Sequence, residues 1–197
     1  MDGANGMWLE PRDGQRFRFD AGTLCLEFLL TGCMEPWELL HAEGDLAAWI
    51  PSSRLRIEGP VVEESGDLAS AKRLRAALFH LALAAADPAF PVPRAPEPES
   101  LAVLTGMAAA PPPAPTITAG RERGWAYPVT ARQFMSAVAR DAIGLFGGGD
   151  LSRIRICGGE RCYLLFLDTS RPGTRRWCSM DRCGNRQKLR TRRKIAE

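Results

Sequence analysis

Apolar residues recur at helical spacing in two long stretches of this chain. Leu74, Ala77, Leu78, Leu81 and Ala85 stand three or four apart. They share one stripe and predict a helix from Asp67, as its cap, to about position 86. Lys72, Arg73 and Arg75 fall off that stripe. Phe134, Val138, Ala142 and Leu145 predict a second helix over 131–146, with Thr130 as its cap. Shorter signals fill in around these two. Arg16–Phe19 alternates polar and apolar, as a strand does, and Asp20-Ala21-Gly22 follows as a turn. The dense run 23–31 (TLCLEFLLT) has no deciding period, but its place after a strand and turn favours a helix.

Positions 35–50 read as a helix with Pro36 at its start and Trp37, Leu40, Leu46, Ala47 and Ile50 on its apolar face; Pro51 stops it. Positions 61–66 read as loop. Five prolines within 88–98 require an extended connection, and a short helix is expected over 99–110. Thr116–Thr118 and Trp125–Tyr127 flank a Gly/Arg/Glu turn and predict a hairpin. Gly147-Gly148-Gly149 then makes a boundary.

Composition separates the two sides of that boundary. The chain has 197 residues, is 45% hydrophobic and carries a net charge of +3. Residues 151–197 hold 13 Lys and Arg against 4 Asp and Glu, a balance of +9, which leaves −6 for residues 1–150. Such a split suggests two jobs in one chain, with nucleic acid a partner for the basic part alone. No run reaches the length of a membrane-spanning helix, so no membrane partner is expected. The N-terminal stretch MDGANGMWLEPRDG has no apolar core of a secretory signal, so a cytoplasmic location is expected.

The candidate chemistry lies in four cysteines. Cys157/Cys162 and Cys178/Cys183 each enclose four residues, and fifteen residues separate the pairs. Two close pairs can bring four thiolates to the corners of a tetrahedron, the arrangement of closed structural Zn²⁺ sites. One structural zinc is therefore expected, with no open position for a catalytic water. Gly158 and Gly159 are expected to supply positive φ in the first knuckle. Strands before and after that knuckle and a final helix complete a treble-clef or ribbon layout. The predicted fold is α+β: a mainly helical domain over 14–147 with a small antiparallel sheet, then a four-cysteine zinc finger over 151–197, a β-hairpin plus a C-terminal helix.

Basic residues crowd that final helix. Arg186, Arg190 and Arg193 share a helical face by their spacing, and Lys188, Arg192, Lys194, Arg175 and Arg176 widen the patch. Each would contact phosphate, or an arginine would read guanine. The bland alternative is a solvated helix whose charges offset the zinc thiolates. Trp177 either stacks on a base or, the favoured reading, packs a mini-core beside the metal. Asn185 is expected to shape the helix start.

With Cys183-Gly184-Asn185-Arg186 in place, the stretch from Leu151 to Lys194 resembles the CGNR zinc-finger family, through C-x4-C, F-L-D-x-S-R, R-R-W-C-S-M and C-G-N-R-x-K-x-R. Upstream, Phe17-x-Phe19 and Gly22-x-Leu24-Cys25-Leu26-Glu27-Phe28 are similar to the ABATE domain that usually precedes this finger. The resemblance implies a stress-linked, zinc-dependent transcriptional regulator whose finger binds DNA and whose first domain senses a ligand or mediates association. Where that family has Asp-Phe-x-Asn-Thr, this chain has Glu27-Phe28-Leu29-Leu30-Thr31. A homodimer is expected, because a single finger has small reach. Two alternatives stand beside this reading. One is an RNA-binding finger. The other is a small-molecule-binding protein or enzyme, with Glu27, Asp20 or Arg73 lining a pocket and the finger as a structural or protein-docking element. No nucleophile–base set, P-loop or dinucleotide fingerprint supports an enzyme, and no catalytic residue is assigned.

Overall fold

The computed structural model describes residues 6–11, 13–32, 37–90 and 97–195, the last three by backbone alone. Strands β1 (Met7–Leu9) and β2 (Phe17–Phe19) form an antiparallel hairpin, and Phe17 and Phe19 point into the core. Helix α1 (Leu24–Phe28) follows, capped by Thr23, whose side chain accepts from the Leu26 N–H, and it continues as a 3-10 turn over Leu29–Thr31. The apolar run is therefore helical, as its position suggested. It is buried on every side, which is why no period marked it.

The helix expected over 35–50 is mostly absent. Among the described residues, α2 covers only Asp45–Trp49 and runs on as a 3-10 turn to Ser52; the proposed start at Pro36 lies outside those residues. Carboxylates take the backbone N–H groups that a longer helix would use. Asp45 Oδ2 accepts from His41 and Ala42, both at 2.7 Å, and Glu38 Oε1 accepts from Leu40 at 2.8 Å. Gly44 adopts φ 96°, outside the helical region.

Strand β3 (Val61–Val62), in the segment expected to be loop, pairs in parallel with a later strand. Helix α3 (Asp67–Ala86) has the predicted span and buries Leu74, Ala77, Leu78 and Leu81 of the predicted stripe, with Ala85 partly buried. Its cap position is Gly66, while Asp67 is the first helical residue and accepts from the Glu64 N–H at 2.9 Å. Arg75 corrects the stripe: it is buried, donating to Glu38 Oε1 (2.7 Å) and the Thr31 carbonyl (2.9 Å). Burial alone would push the Glu38 carboxyl up, but Arg75 and the Leu40 N–H outweigh it and hold it at about 2.

Helix α4 (Glu97–Ala108) begins two residues earlier than expected. Strands β4 (Pro115–Ile117) and β5 (Arg123–Trp125) form the hairpin in a shorter register, with Arg121 at φ 63° in its turn. Strand β6 (Val129–Thr130), the partner of β3, leads into α5 (Ala131–Gly148) through a capping box between Thr130 and Gln133. Phe28, Trp49 and Phe134 meet edge-on, with centroids 5.9–6.1 Å apart, where α1, α2 and α5 converge.

The last elements are β7 (Ile154–Ile156), β8 (Leu165–Leu167), paired antiparallel, and α6 (Asn185–Ile195). They do not stand apart from what precedes them. Ile154, Leu165 and Phe166 belong to one apolar cluster with residues of α1, α3 and α5. Phe166 meets Phe19 edge-on at 6.4 Å, and the Leu167 N–H donates to the Ala21 carbonyl at 2.9 Å. Gly22 sits so close to β8 that a Cβ there would lie 2.6 Å from the Leu167 carbonyl oxygen, and its φ of +87° also favours glycine. No helix of the described residues is long and apolar enough to cross a membrane.

Candidate metal centre and basic face

The strand pair β7–β8 ends in the first cysteine knuckle. The Cys157 N–H donates to the Leu164 carbonyl (2.9 Å), and the Cys162 N–H to the Gly159 carbonyl (3.0 Å), which closes the turn. The second knuckle enters from the segment after β8. Its Cys183 lies in a wide π-helical turn, Met180–Gly184, that runs straight into α6. Ser179 caps that turn, accepting from the Asp181 N–H at 3.2 Å. Asn185, expected to shape this start, is instead the exposed first residue of α6.

The four Sγ atoms lie within 4.8 Å of one another. Tetrahedral Zn–S bonds of about 2.3 Å put sulfurs about 3.8 Å apart. The Cys162–Cys178 and Cys178–Cys183 pairs stand at 3.8 and 3.5 Å. The cluster fits, and it is able to hold one structural Zn²⁺. Cys157, Cys178 and Cys183 are buried and Cys162 is partly so. Cys157 Sγ receives two backbone N–H groups, from Cys178 (3.2 Å) and Gly159 (3.4 Å). Hydrogen bonding from Cys162, then Cys178, holds its thiol well below the ordinary range, helped by these two N–H groups.

Neither Gly158 nor Gly159 takes positive φ; Arg161 does, at 57°. The glycines are needed for space. A Cβ at Gly159 would lie 2.6 Å from Cys183 Sγ, and one at Gly158 would lie 3.2 Å from the Trp177 ring. Gly159→Ala is therefore expected to push one ligand out of the cluster and weaken zinc at least about tenfold, a loss of the size that supporting-shell changes produce. Competition with a colorimetric chelator measures it; unchanged affinity would mean that the knuckle relaxes freely.

Around the cluster, two buried side chains set the loop between β8 and the second knuckle. Asp168, fully buried, accepts from Ser170 (N–H 2.9 Å, Oγ–H 2.6 Å) and from the Arg175 N–H (2.7 Å). Burial would raise its carboxyl, but these bonds outweigh that and lower it. The Arg175 guanidinium does not serve the basic patch for which it was a candidate. It donates to the carbonyls of Trp177 (3.1 Å), Cys178 (2.8 Å) and Asp20 (2.9 Å), and lies 4.1 Å over the Phe166 ring. Burial pulls its pKa down. That Asp168 of the F-L-D-x-S-R stretch and the downstream Arg175 brace this loop had no periodic signal in the sequence.

The remaining basic candidates divide. Arg186 donates to Asp13 Oδ2 (2.6 Å) and Gln15 Oε1 (3.0 Å), while Arg182 grips both oxygens of the same Asp13 at 3.0 and 2.9 Å. Hydrogen bonds from Arg186 and then Arg182 hold the Asp13 carboxyl well below the usual carboxylate range. Arg190 pairs with Glu160. Arg176, Lys188 and Arg192 are exposed, and none of them has a carboxylate partner among the described residues. The side chains of Arg193 and Lys194 lie outside the described residues. Trp177 is half-buried and packs against the core, as favoured, with one edge bordering open space on two sides.

Of the three ligand candidates, Glu27 and Asp20 meet on one internal arginine and Arg73 stands apart. Glu27 is buried, its carboxylate accepting from Arg54 N (2.5 Å) and Nε (3.1 Å). Burial pushes its carboxyl up, with Arg54 opposing. Asp20 pairs with the same guanidinium at 2.9 Å, so both acids serve an internal brace. Arg73 is exposed on α3 and bonds Ser70. Asp20 alone of the three borders an open groove of about 530 Å³, together with Arg18, Arg176, Trp177 and Met180.

Residues 22–149 match the family described as "Putative stress-induced transcription regulator" (ABATE), and residues 153–194 match the CGNR zinc finger, in that order. Comparison with curated proteins finds no match.

Proposed function

Since the chain belongs to the ABATE family, with a CGNR zinc finger after the matched region, we propose that it is a cytoplasmic, zinc-dependent, DNA-binding transcriptional regulator. The observation that carries this reading is α6: a helix set on a four-cysteine centre, outside the main core, with Arg186, Lys188, Arg190 and Arg192 exposed along it. An α-helix fits the major groove of duplex DNA, and a metal clamp at its start fixes its direction. Zinc is structural here, and every contact to DNA would come from the protein's own side chains. Residues 1–150, with a balance of −6, would sense an effector or mediate association, linking the protein to stress response. A reducing cytoplasm suits four cysteines used as metal ligands. One short helix reads few base pairs, so a dimer on paired half-sites is the working form. The role is regulatory, not catalytic.

The test is fluorescence anisotropy of the zinc-loaded full chain with labelled duplex DNA from its own upstream region, over a salt series. About three phosphate contacts predict an affinity loss of roughly fortyfold between about 50 and 200 mM salt. Structured RNA in direct competition is expected to displace the duplex poorly. Tighter RNA binding would make this an RNA-binding finger, and no binding at low salt with zinc present would make the finger a structural or protein-docking element.

A further inference from the structure

Helix α6 offers two basic faces, and the structure treats them differently. Arg186 and Arg190 lie four apart on one of them. That face is already occupied. Asp13, in the turn after β1, meets Arg186, and Glu160 of the first knuckle meets Arg190. Arg182, whose side chain is only 12% exposed, fixes the Asp13 carboxylate by a two-point grip. Asp13 is thus held in place, and a DNA phosphate approaching Arg186 would meet a carboxylate first.

The other face carries Lys188 and Arg192, also four apart, with Gln187 and Thr191 beside them. These four, with Trp177 and Gly184, line a groove of about 320 Å³. Trp177 also borders the larger groove that contains Arg176 and Arg18, so the two openings flank one indole ring. Arg176 lies 5.3 Å over that ring. Arg176, Lys188 and Arg192 are exposed and lack carboxylate partners among the described residues. Cations with no carboxylate partner among the described residues, set beside an aromatic ring, complement a phosphate backbone and have no ion pair there to give up before binding it.

We propose that duplex DNA docks on the Trp177 side of α6, with phosphates on Lys188, Arg192 and Arg176, while Arg186 and Arg190 brace the finger against Asp13 and Glu160. This rests on the DNA-binding reading above and assigns its face, replacing the Arg186/Arg190/Arg193 face expected from spacing.

Two double variants of the full, zinc-loaded chain decide it: Lys188→Gln with Arg192→Gln, and Arg186→Gln with Arg190→Gln. Gln keeps the helix propensity of exposed positions. Zinc content is measured on each. The first pair is expected to lose at least about tenfold in duplex affinity and to shallow the salt slope by about 2, near 0.9 per phosphate contact. The second pair is expected to keep the wild-type slope. A charge-keeping exchange, Lys188→Arg with Arg192→Lys, is expected to bind like the wild type, since phosphate contact needs charge more than shape. Loss confined to the second pair, or equal loss in both, overturns the face assignment and leaves DNA binding standing. No binding by the wild type overturns the DNA-binding reading itself, and the docking face with it.

Discussion

Removing zinc is expected to destabilise the whole chain, not the finger alone. Cys157, Cys178 and Cys183 belong to the same apolar cluster as Phe19, Leu24 and Leu78. Strand β8 is bonded to the segment between β2 and α1 through Leu167 and Ala21. A four-cysteine module without metal would bring together sulfurs that no other force holds, and structural zinc binding is worth about 10 kcal/mol or more in small modules. Part of that is lost as folding free energy wherever the cores are shared. Chelation, or Cys183→Ser, is therefore expected to lower the stability of the full chain by at least about 5 kcal/mol. Denaturant unfolding followed at once by tryptophan fluorescence and far-UV circular dichroism measures it. The fluorescence sums five tryptophans, of which Trp49 lies in the first-domain core and Trp177 beside the metal. The zinc-loaded chain should unfold in one transition, and the zinc-free chain should lose structure by both probes at lower denaturant. A zinc-free chain that kept its main transition at the original midpoint would show two independent units and defeat the shared-core account.

Arg175→Met is expected to cost about 3 kcal/mol, with little effect on the salt slope of DNA binding when zinc is saturating. The guanidinium holds three backbone carbonyls, from Asp20, Trp177 and Cys178. One of these belongs to a zinc ligand and another to the first domain. Methionine would keep much of the packing on Phe166 but leave three acceptors unpaired in a half-buried place. Bonds from a charged donor are worth about 1.5–3 kcal/mol each, and water would recover part of that total. Equilibrium unfolding reads the stability, and anisotropy over a salt series reads the slope. A slope shallower by about 1 with unchanged stability would return Arg175 to the phosphate-contacting set.

The two variants also divide the roles of the arginines. Seven salt bridges are present among the described residues, and four of them (Arg153–Asp150, Arg182–Asp13, Arg186–Asp13 and Arg190–Glu160) use arginines of the C-terminal module. The charge of +9 over residues 151–197 is thus not all available to a partner. Arg175 holds the interior, Arg182 and Arg186 hold the β1–β2 hairpin, and Arg176, Lys188 and Arg192 face solvent.

Local patterns were enough for the elements that local physics governs. The α3 and α5 stripes follow from period, and the α5 cap at Thr130 follows from its residue type, while its Gln133 partner came from the structure. The cysteine cluster follows from two close pairs, because a short knuckle can place its sulfurs only a few ångströms apart. Glu27 and Arg75 show where such reasoning stops. Each is a charged residue on a short or long helix, and each is buried because a partner arrives from elsewhere in the chain: Arg54 for one, Glu38 for the other. Neither partner leaves a periodic trace.

The same boundary runs through the basic segment. Sequence by itself determined that a four-cysteine zinc centre precedes a cationic helix, since metal-ligand spacing and net charge are properties of neighbouring residues. Only the tertiary structure decided which cations are free, because a carboxylate brought in from Asp13, more than 160 residues away, neutralises one face and leaves the other open. It also decided that the finger shares the core of the first domain. That depends on Phe166 meeting Phe19, and a contact of such long range is set by how the whole chain packs, not by any pattern within a segment.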